Sequence, residues 1–389
     1  MPRNPDKIDY SGGLPAHFKA FVVIEDPRTG GNKLHHFGEV LFMSVSAMLC
    51  GMNGFAEISE FCYLQQDWLG KWISLPNGVP TGQTFSNIFA IIDPDLFNRC
   101  LAEHVSALHP ALLAGVIAVD GKRLRGSGGP DTECCHAVSA WSARGGVTLA
   151  QEYVADKSNE ITATPRLLDL LDLPGQIVTI DAMGTHTHIA AAIVEGGGDY
   201  LLALKGNQGN LHQAVCDEFH FATRQLDLGK AEGWSHDSRR ERTHGRDTRR
   251  TMIATTRLDF LDAEIRERWQ GLASIIMVEN ETRVPGENKV RRETRYFISS
   301  LECEAAEFQD HVRTHWSIES QCHWVLDTMF REDHNQTWVG NAAKNLGALR
   351  RIVLNILKSD PTGSKKSLPM KRLNALANPT YREKLLSLA

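Results

Sequence analysis

The chain has 389 residues, 42% hydrophobic and 23% charged, an ordinary balance for a soluble globular protein large enough for two or three domains. No apolar run is long enough to span a bilayer, and MPRNPDKIDYSGG lacks a signal-peptide core, so a cytoplasmic location with no membrane partner is expected. Eight scattered cysteines without a CxxC pair exclude a zinc ribbon and a disulfide scaffold.

In chain order, residues 1–20 read as flexible. Residues 37–73 have helical apolar spacing interrupted at Gly51 and Gly54, and two further helices are expected from about Thr81 and from about Pro94, the latter capped by Asp93. This predicts a helical N-terminal domain over residues 1–110. PTGQTFSNIF is a weak match to a helix-turn-helix reader, and a plain helical bundle fits it better.

From Leu113 the period changes. VIAV (116–119), HAVSAW (136–141) and VTLAQEYV (147–154) read as strands, the last two joined by the hairpin signal SARGG. Cys134-Cys135-His136 then belongs to a strand edge rather than to a ligand set. A helix over TPRLLDLLD, the strand QIVTI, the helix THIAAAIVE and the strand DYLLAL follow. Three strands, helix, strand, helix, strand is the order of a ribonuclease H-like α/β fold, a mixed sheet flanked by helices. We expect its first part over residues 111–222.

Two acids stand where such a fold delivers carboxylates. Asp120 and Asp181 each close a short β-branched run, the first on the first strand and the second just after the fourth. The third acid should come from a later helix, and Glu319 in HWSIESQCHWVLDTMFRED fits, with Glu332 next in line. The long interval between Asp181 and Glu319 demands an insertion. TRRTMIATTRL, ASIIMVENETRV and RRETRYFISSL make it β-rich, over residues 223–302, and we expect it to sit over the active site. Core helices with the third acid are expected over 303–358 and a basic tail over 359–389.

The Glu319 helix has its own pattern. His315, Glu319, His323 and Asp327 recur every four residues, which places the first three on one helix face. Alone, such a stripe is a polar face with satisfied histidines. Together with Asp120 and Asp181 it suggests three acids able to hold divalent ions for phosphoryl chemistry.

Charge is uneven. The net charge is −5, which argues against nucleic acid, but residues 340–389 hold ten Lys or Arg against Asp360 and Glu383, leaving −13 on the rest. A second basic island, RRERTHGRDTRR, lies in the insertion. Stretches of this kind are usually solvated faces, yet two of them in a chain with an acidic triad suit a phosphate-tracking surface.

DPRTGGNKLHH, LPNGVPTGQTFSNIF, VDGKRLRGS, TIDAMGTHTHIAAAIVEGGGDYLLALKGNQ, HGRDTRR and HWSIESQCHWVLDTMFRED, in this order, resemble an insertion-sequence transposase of the ISAs type, the group of H-repeat-associated proteins. The resemblance implies a DDE transposase with Asp120, Asp181 and Glu319 as catalytic and metal-binding triad. It implies Mg²⁺, with Mn²⁺ as substitute, and a double-stranded DNA substrate with terminal inverted repeats, held by a homodimer in the nucleoid. Related proteins with a β insertion carry a Tyr and an Arg ahead of the Glu and a Lys after it. Val312, His315 and Leu326 fall there instead, so Arg313 and His315 become candidates for those phosphate contacts.

Further DNA contacts are expected of Lys122, Arg123, Arg125, Lys205, Asn207, Arg246, His323, Arg350 and Arg351. For Arg123 and Arg125 a salt-bridged strand surface is an equal alternative. The rival readings are a catalytically silent H-repeat remnant that only binds DNA and a hydrolase of small phosphoesters using the His-Glu-His face.

Overall fold

The computed structural model describes residues 26–29, 33–108, 115–129, 133–154, 160–225, 227–228, 231–243, 246–283, 290–361 and 365–387. The flexible segment expected at 1–20 lies outside them. The chain divides into two compact units, one of residues 1–113, 121–163 and 319–389, the other of residues 114–120 and 164–318.

Among the described residues nine strands run as β1 (Val116–Arg123), β2 (His136–Ser142), β3 (Val147–Val154), β4 (Ile177–Ile180), β5 (Asp199–Leu204), β6 (Trp234–Thr243), β7 (Arg246–Thr255), β8 (Ser274–Arg283) and β9 (Val290–Ser299). Their order in the sheet is β3-β2-β1-β4-β5-β9-β8-β7-β6. The first five are in the ribonuclease H-like order that the sequence predicts, with β1, β4 and β5 parallel. Such strands carry short Val/Ile/Leu runs because helices cover both faces.

The insertion is built of β6 to β9. β9 pairs antiparallel with β5, and β8, β7 and β6 follow antiparallel. It therefore prolongs the sheet from the β5 edge. Its inner face buries Met252, Ala254, Ile276 and Val278 against Phe308 and Val312 of the helix Ala305–His315. Alternate apolar residues along each strand meet the apolar stripe of one helix, which is why register is well specified here. The basic island, read from sequence as a charged patch, is the β6–β7 hairpin itself, with Arg240 directly opposite Arg249.

In the first unit the N-terminal helices are Phe37–Leu49, Phe55–Leu64, Gln66–Leu69, Gly82–Ile91 and Pro94–Leu108. Breaks fall at the predicted glycines. Thr81 Oγ1 accepts from Thr84 N at 3.2 Å and Asp93 Oδ1 from Asp95 N at 3.0 Å, which satisfies amides that the helix leaves without internal partners. The helix Ala342–Ser359 is buried along nearly its whole length, and its Asn355 bonds both the amide and the carbonyl of Thr148 on β3.

The C-terminal segment is no tail. It forms the helices Leu368–Ala377 and Pro379–Ser387, in which Lys371, Arg372 and Arg382 are buried. Arg372 donates to the carbonyls of Met329 and Met48, and Arg382 stacks 3.8 Å from the Trp68 ring. Long cationic side chains here fill space and satisfy carbonyls instead of meeting solvent.

Candidate active site

The register of β1 and β4 fixes the first pair of acids. Val119 is the parallel partner of Ile180, so Asp120 follows on β1 and Asp181 follows directly on the end of the neighbouring β4. Asp120 lies inside β1, which continues to Arg123, whereas β4 ends at Ile180. The sequence had placed both at strand ends. Asp181 Oδ1 accepts from the amides of Met183 and Gly184 at 3.1 and 3.2 Å, and this turn fixes the carboxylate. Asn207 donates to the Ala182 carbonyl at 2.9 Å and secures the same loop.

His315 faces this pair from the helix Ala305–His315. Its Nδ1 lies 2.8 Å from Thr179 Oγ1 on β4. Burial pushes the imidazole below its ordinary value, and the opposing pull of Asp120 and Asp181 does not overcome it. A neutral ring held by Thr179 has a fixed orientation toward two carboxylates. Next to it, Trp316 stacks under Arg250, 4.5 Å from the ring centroid, and Arg295, 5.6 Å away.

Glu319 is exposed and opens a π-helical turn, Glu319–His323, that leads into the helix Trp324–Thr328. Such a turn inserts one residue relative to α-helical phase. The expected four-residue stripe is therefore broken, because Glu319 is exposed while His323 is buried.

Several expected DNA contacts lie inside the first unit instead. Lys122 is buried, with Nζ 2.7 Å from Asp327, 2.8 Å from Asp333 and 3.4 Å from Glu332. Arg351, fully buried, is 3.0 Å from Glu332, and Arg350 is 3.9 Å away. Burial works to raise the Glu332 carboxyl, but Arg351, Lys122 and Arg350 outweigh it and hold it down to about 2. Glu332 is thus the anion of a structural cluster and unsuited as a replacement third acid. Lys122, Arg350, Arg351 and His323 are not on a surface that a phosphate backbone reaches.

Arg123, Arg125, Lys205, Asn207 and Arg246 are exposed. Arg125 lies 3.5 Å from Asp333, the salt-bridged alternative. Arg313 is exposed and pairs with Glu241. The sequence reading missed Glu160, whose buried carboxylate packs against Gly121 and lies 3.6 Å from His136. Nothing in local spacing links these three positions, although strand parity already puts Lys122 on the Asp120 face.

Two carboxylates on neighbouring strands offer hard oxygen donors only, which suits Mg²⁺ or Mn²⁺ over softer metals. Unneutralised, they would repel each other. Among the described residues no group of three or more His, Cys, Asp or Glu is gathered for a metal ion, so the observed donor set is this pair. Among those residues, too, no helix is long and apolar enough to cross a membrane.

Residues 112–356 match the Transposase DDE domain model, and residues 18–105 match the DDE_Tnp_1-associated model. YncI of Escherichia coli O157:H7, named as a candidate transposase, is 36% identical over 94% of this chain and 93% of its own length. YhhI of Escherichia coli K12, an H repeat-associated candidate transposase, is 33% identical over 94% of this chain and 96% of its own length. A solved piggyBac transposase synaptic complex with hairpin DNA matches at a TM-score of 0.42 and 9% identity, covering 95% of this chain and 78% of that one. The chain belongs to the DDE transposase family.

Proposed function

We propose that the chain cleaves and transfers DNA strands at the ends of an insertion sequence, with Asp120, Asp181 and Glu319 as its acidic triad. The observation that carries this reading is the parallel register that sets Asp120 beside Asp181, with His315 facing both. The three acids would hold Mg²⁺ or Mn²⁺. When bound, these ions activate water or a 3′-hydroxyl and stabilise the leaving 3′-oxygen.

The residues of the chain contribute the rest. Asp181 is pre-aligned by two backbone amides, so little ordering remains for ligand binding. His315, held neutral by burial, orients toward the pair without adding a competing cation. Exposed Arg123, Arg125, Lys205, Arg246 and Arg313 would hold the phosphate backbone of double-stranded DNA, positioning it without reading sequence. A homodimer would bring two inverted-repeat ends together, and action on nucleoid DNA places the protein in the cytoplasm.

Glu319→Gln tests the reading on a duplex bearing the inverted repeats that flank the coding sequence. The expected result is loss of Mg²⁺-dependent nicking with end binding retained. Cleavage that survives Glu319→Gln moves the third acid elsewhere. Wild-type protein that binds the ends but never cleaves them in Mg²⁺ or Mn²⁺ makes this copy a silent DNA-binding remnant.

A further inference from the structure

Three large apolar side chains of the first unit stay exposed around one opening. Leu373 and Leu376 share a face of the helix Leu368–Ala377, and Trp324 opens the helix Trp324–Thr328. They border a cleft of about 770 Å³, with Val325 and Met329 among its other walls. That volume is in the range of sites that enclose a small organic molecule, which combine apolar walls with a few polar groups.

The charged group of this cleft is Arg372, which is 5% exposed. Its Nη atoms donate to the carbonyls of Met329 and Met48 and to Asn53 Oδ1, and its buried Nε has no hydrogen-bond partner. All of these acceptors are neutral. Arg351 pairs with Glu332, and Lys371, the chain neighbour of Arg372, lies 3.9 Å from Asp360. Arg372 has no ion pair of this kind among the described residues. Burial pulls its guanidinium down to about 10, and the fields of Cys50 and the exposed Glu57 do not offset this. A buried charge without a counter-charge is costly to keep.

A second feature gives the cleft the same sign. Ser367, Leu368 and Pro369 line it, and with them the start of the helix Leu368–Ala377. The first turn of a helix leaves amides without internal partners and carries partial positive charge. Here Ser367 makes no side-chain capping bond, and the turn holds no acidic residue.

We propose that this cleft binds a small organic anion, with an apolar, ring-bearing body and a single carboxylate or sulfonate head. The body covers Trp324, Leu373 and Leu376. The head comes beside Arg372 and the start of its helix, and supplies the counter-charge that the chain leaves out. The whole site lies within the first unit and uses none of the three acids assigned to DNA cleavage.

The test uses two probes with the same rings, anilinonaphthalene sulfonate and uncharged phenylnaphthylamine, titrated into the full chain by calorimetry. The sulfonate should bind one to one and about tenfold or more tighter than the amine, the ratio that one contact to a charged group gives. Leu373 is exposed, so Leu373→Glu and its neutral control Leu373→Gln should melt near the wild-type temperature. Leu373→Glu should weaken the sulfonate by about tenfold relative to Leu373→Gln, because like charges then face each other, and should leave the amine unchanged. Trp324→Ala should weaken both probes by about tenfold, since both lose the same apolar wall.

Equal affinity for the two probes, or equal sulfonate affinity of Leu373→Glu and Leu373→Gln, overturns the assignment of an anion. Absence of saturable binding, or binding that Trp324→Ala leaves unchanged, overturns the site.

Discussion

Thr179 Oγ1 and His315 Nδ1 lie 2.8 Å apart, which ties the strand that delivers Asp181 to the helix that leads into Glu319. Thr179 is buried, so its hydroxyl has few alternatives to this ring and the Ile117 carbonyl at 3.4 Å. Thr179→Val keeps the shape and removes the hydroxyl. Denaturant unfolding should show a loss of about 1–3 kcal/mol, the cost of leaving a buried polar group unsatisfied. A midpoint identical to that of wild type would show that the ring finds another partner.

Acid should act through Glu332. Its carboxyl is held at about 2 in the folded state against an ordinary value of 4.5. A depressed carboxylate contributes stability that is complete above the unfolded value and is lost as pH falls through the folded one, so the window runs from about 4.5 down to about 2. The contribution is on the order of 3 kcal/mol for this fully buried group. Melting temperature should fall through that window in wild type. Glu332→Gln should flatten the fall while lowering stability at neutral pH, because Arg351 loses its anion. A wild-type curve flat below 4.5 would refute the assignment.

Two glycines near the site differ in what they exclude. A Cβ on Gly126 would sit 2.1 Å from the Asn335 backbone carbonyl oxygen, while one on Gly121 would sit 2.3 Å from the Glu160 carboxylate. Backbone cannot step aside as a side chain can. Gly126→Ala should therefore cost about 1–3 kcal/mol of stability, the range for overpacking, and Gly121→Ala less. Equal losses in calorimetry would mean that Glu160 is held as rigidly as backbone.

DNA affinity should depend on the β6–β7 hairpin. Arg240 and Arg242 leave one face of β6, and Arg249 joins them from the position opposite Arg240. All three are exposed. Replacing them with Ala should flatten the plot of log affinity against log salt by about 2 to 3, near 0.9 per released counterion. An unchanged slope would exclude the hairpin from the interface. Truncation at residue 360 should unfold the first unit instead, since Arg372 and Arg382 are buried parts of its packing.

Most strands were legible because their β-branched runs are short and bounded by turns, although β1 runs on past Asp120 to Arg123. β6 was not, since RRERT lacks apolar alternation and becomes a strand only by pairing with β7. The basic C-terminus misled for a related reason. Charge counts cannot tell a solvated lysine from one whose ammonium bonds the Leu357 carbonyl, as that of Lys371 does. Lys122 and Glu332 are 210 residues apart in sequence, and only the fold brings them into one cluster.

The π-helical turn at Glu319–His323 makes the spacing after the third acid a matter of phase. Each residue of a helix turns the next by about 100°. Deleting one residue from this turn would swing Trp324–Thr328 around the axis by that angle and carry Asp327 off Lys122. An alignment of relatives that places a gap here is thus aligning two different geometries, and the distance in residues from Glu319 to Asp327 is itself a structural signature.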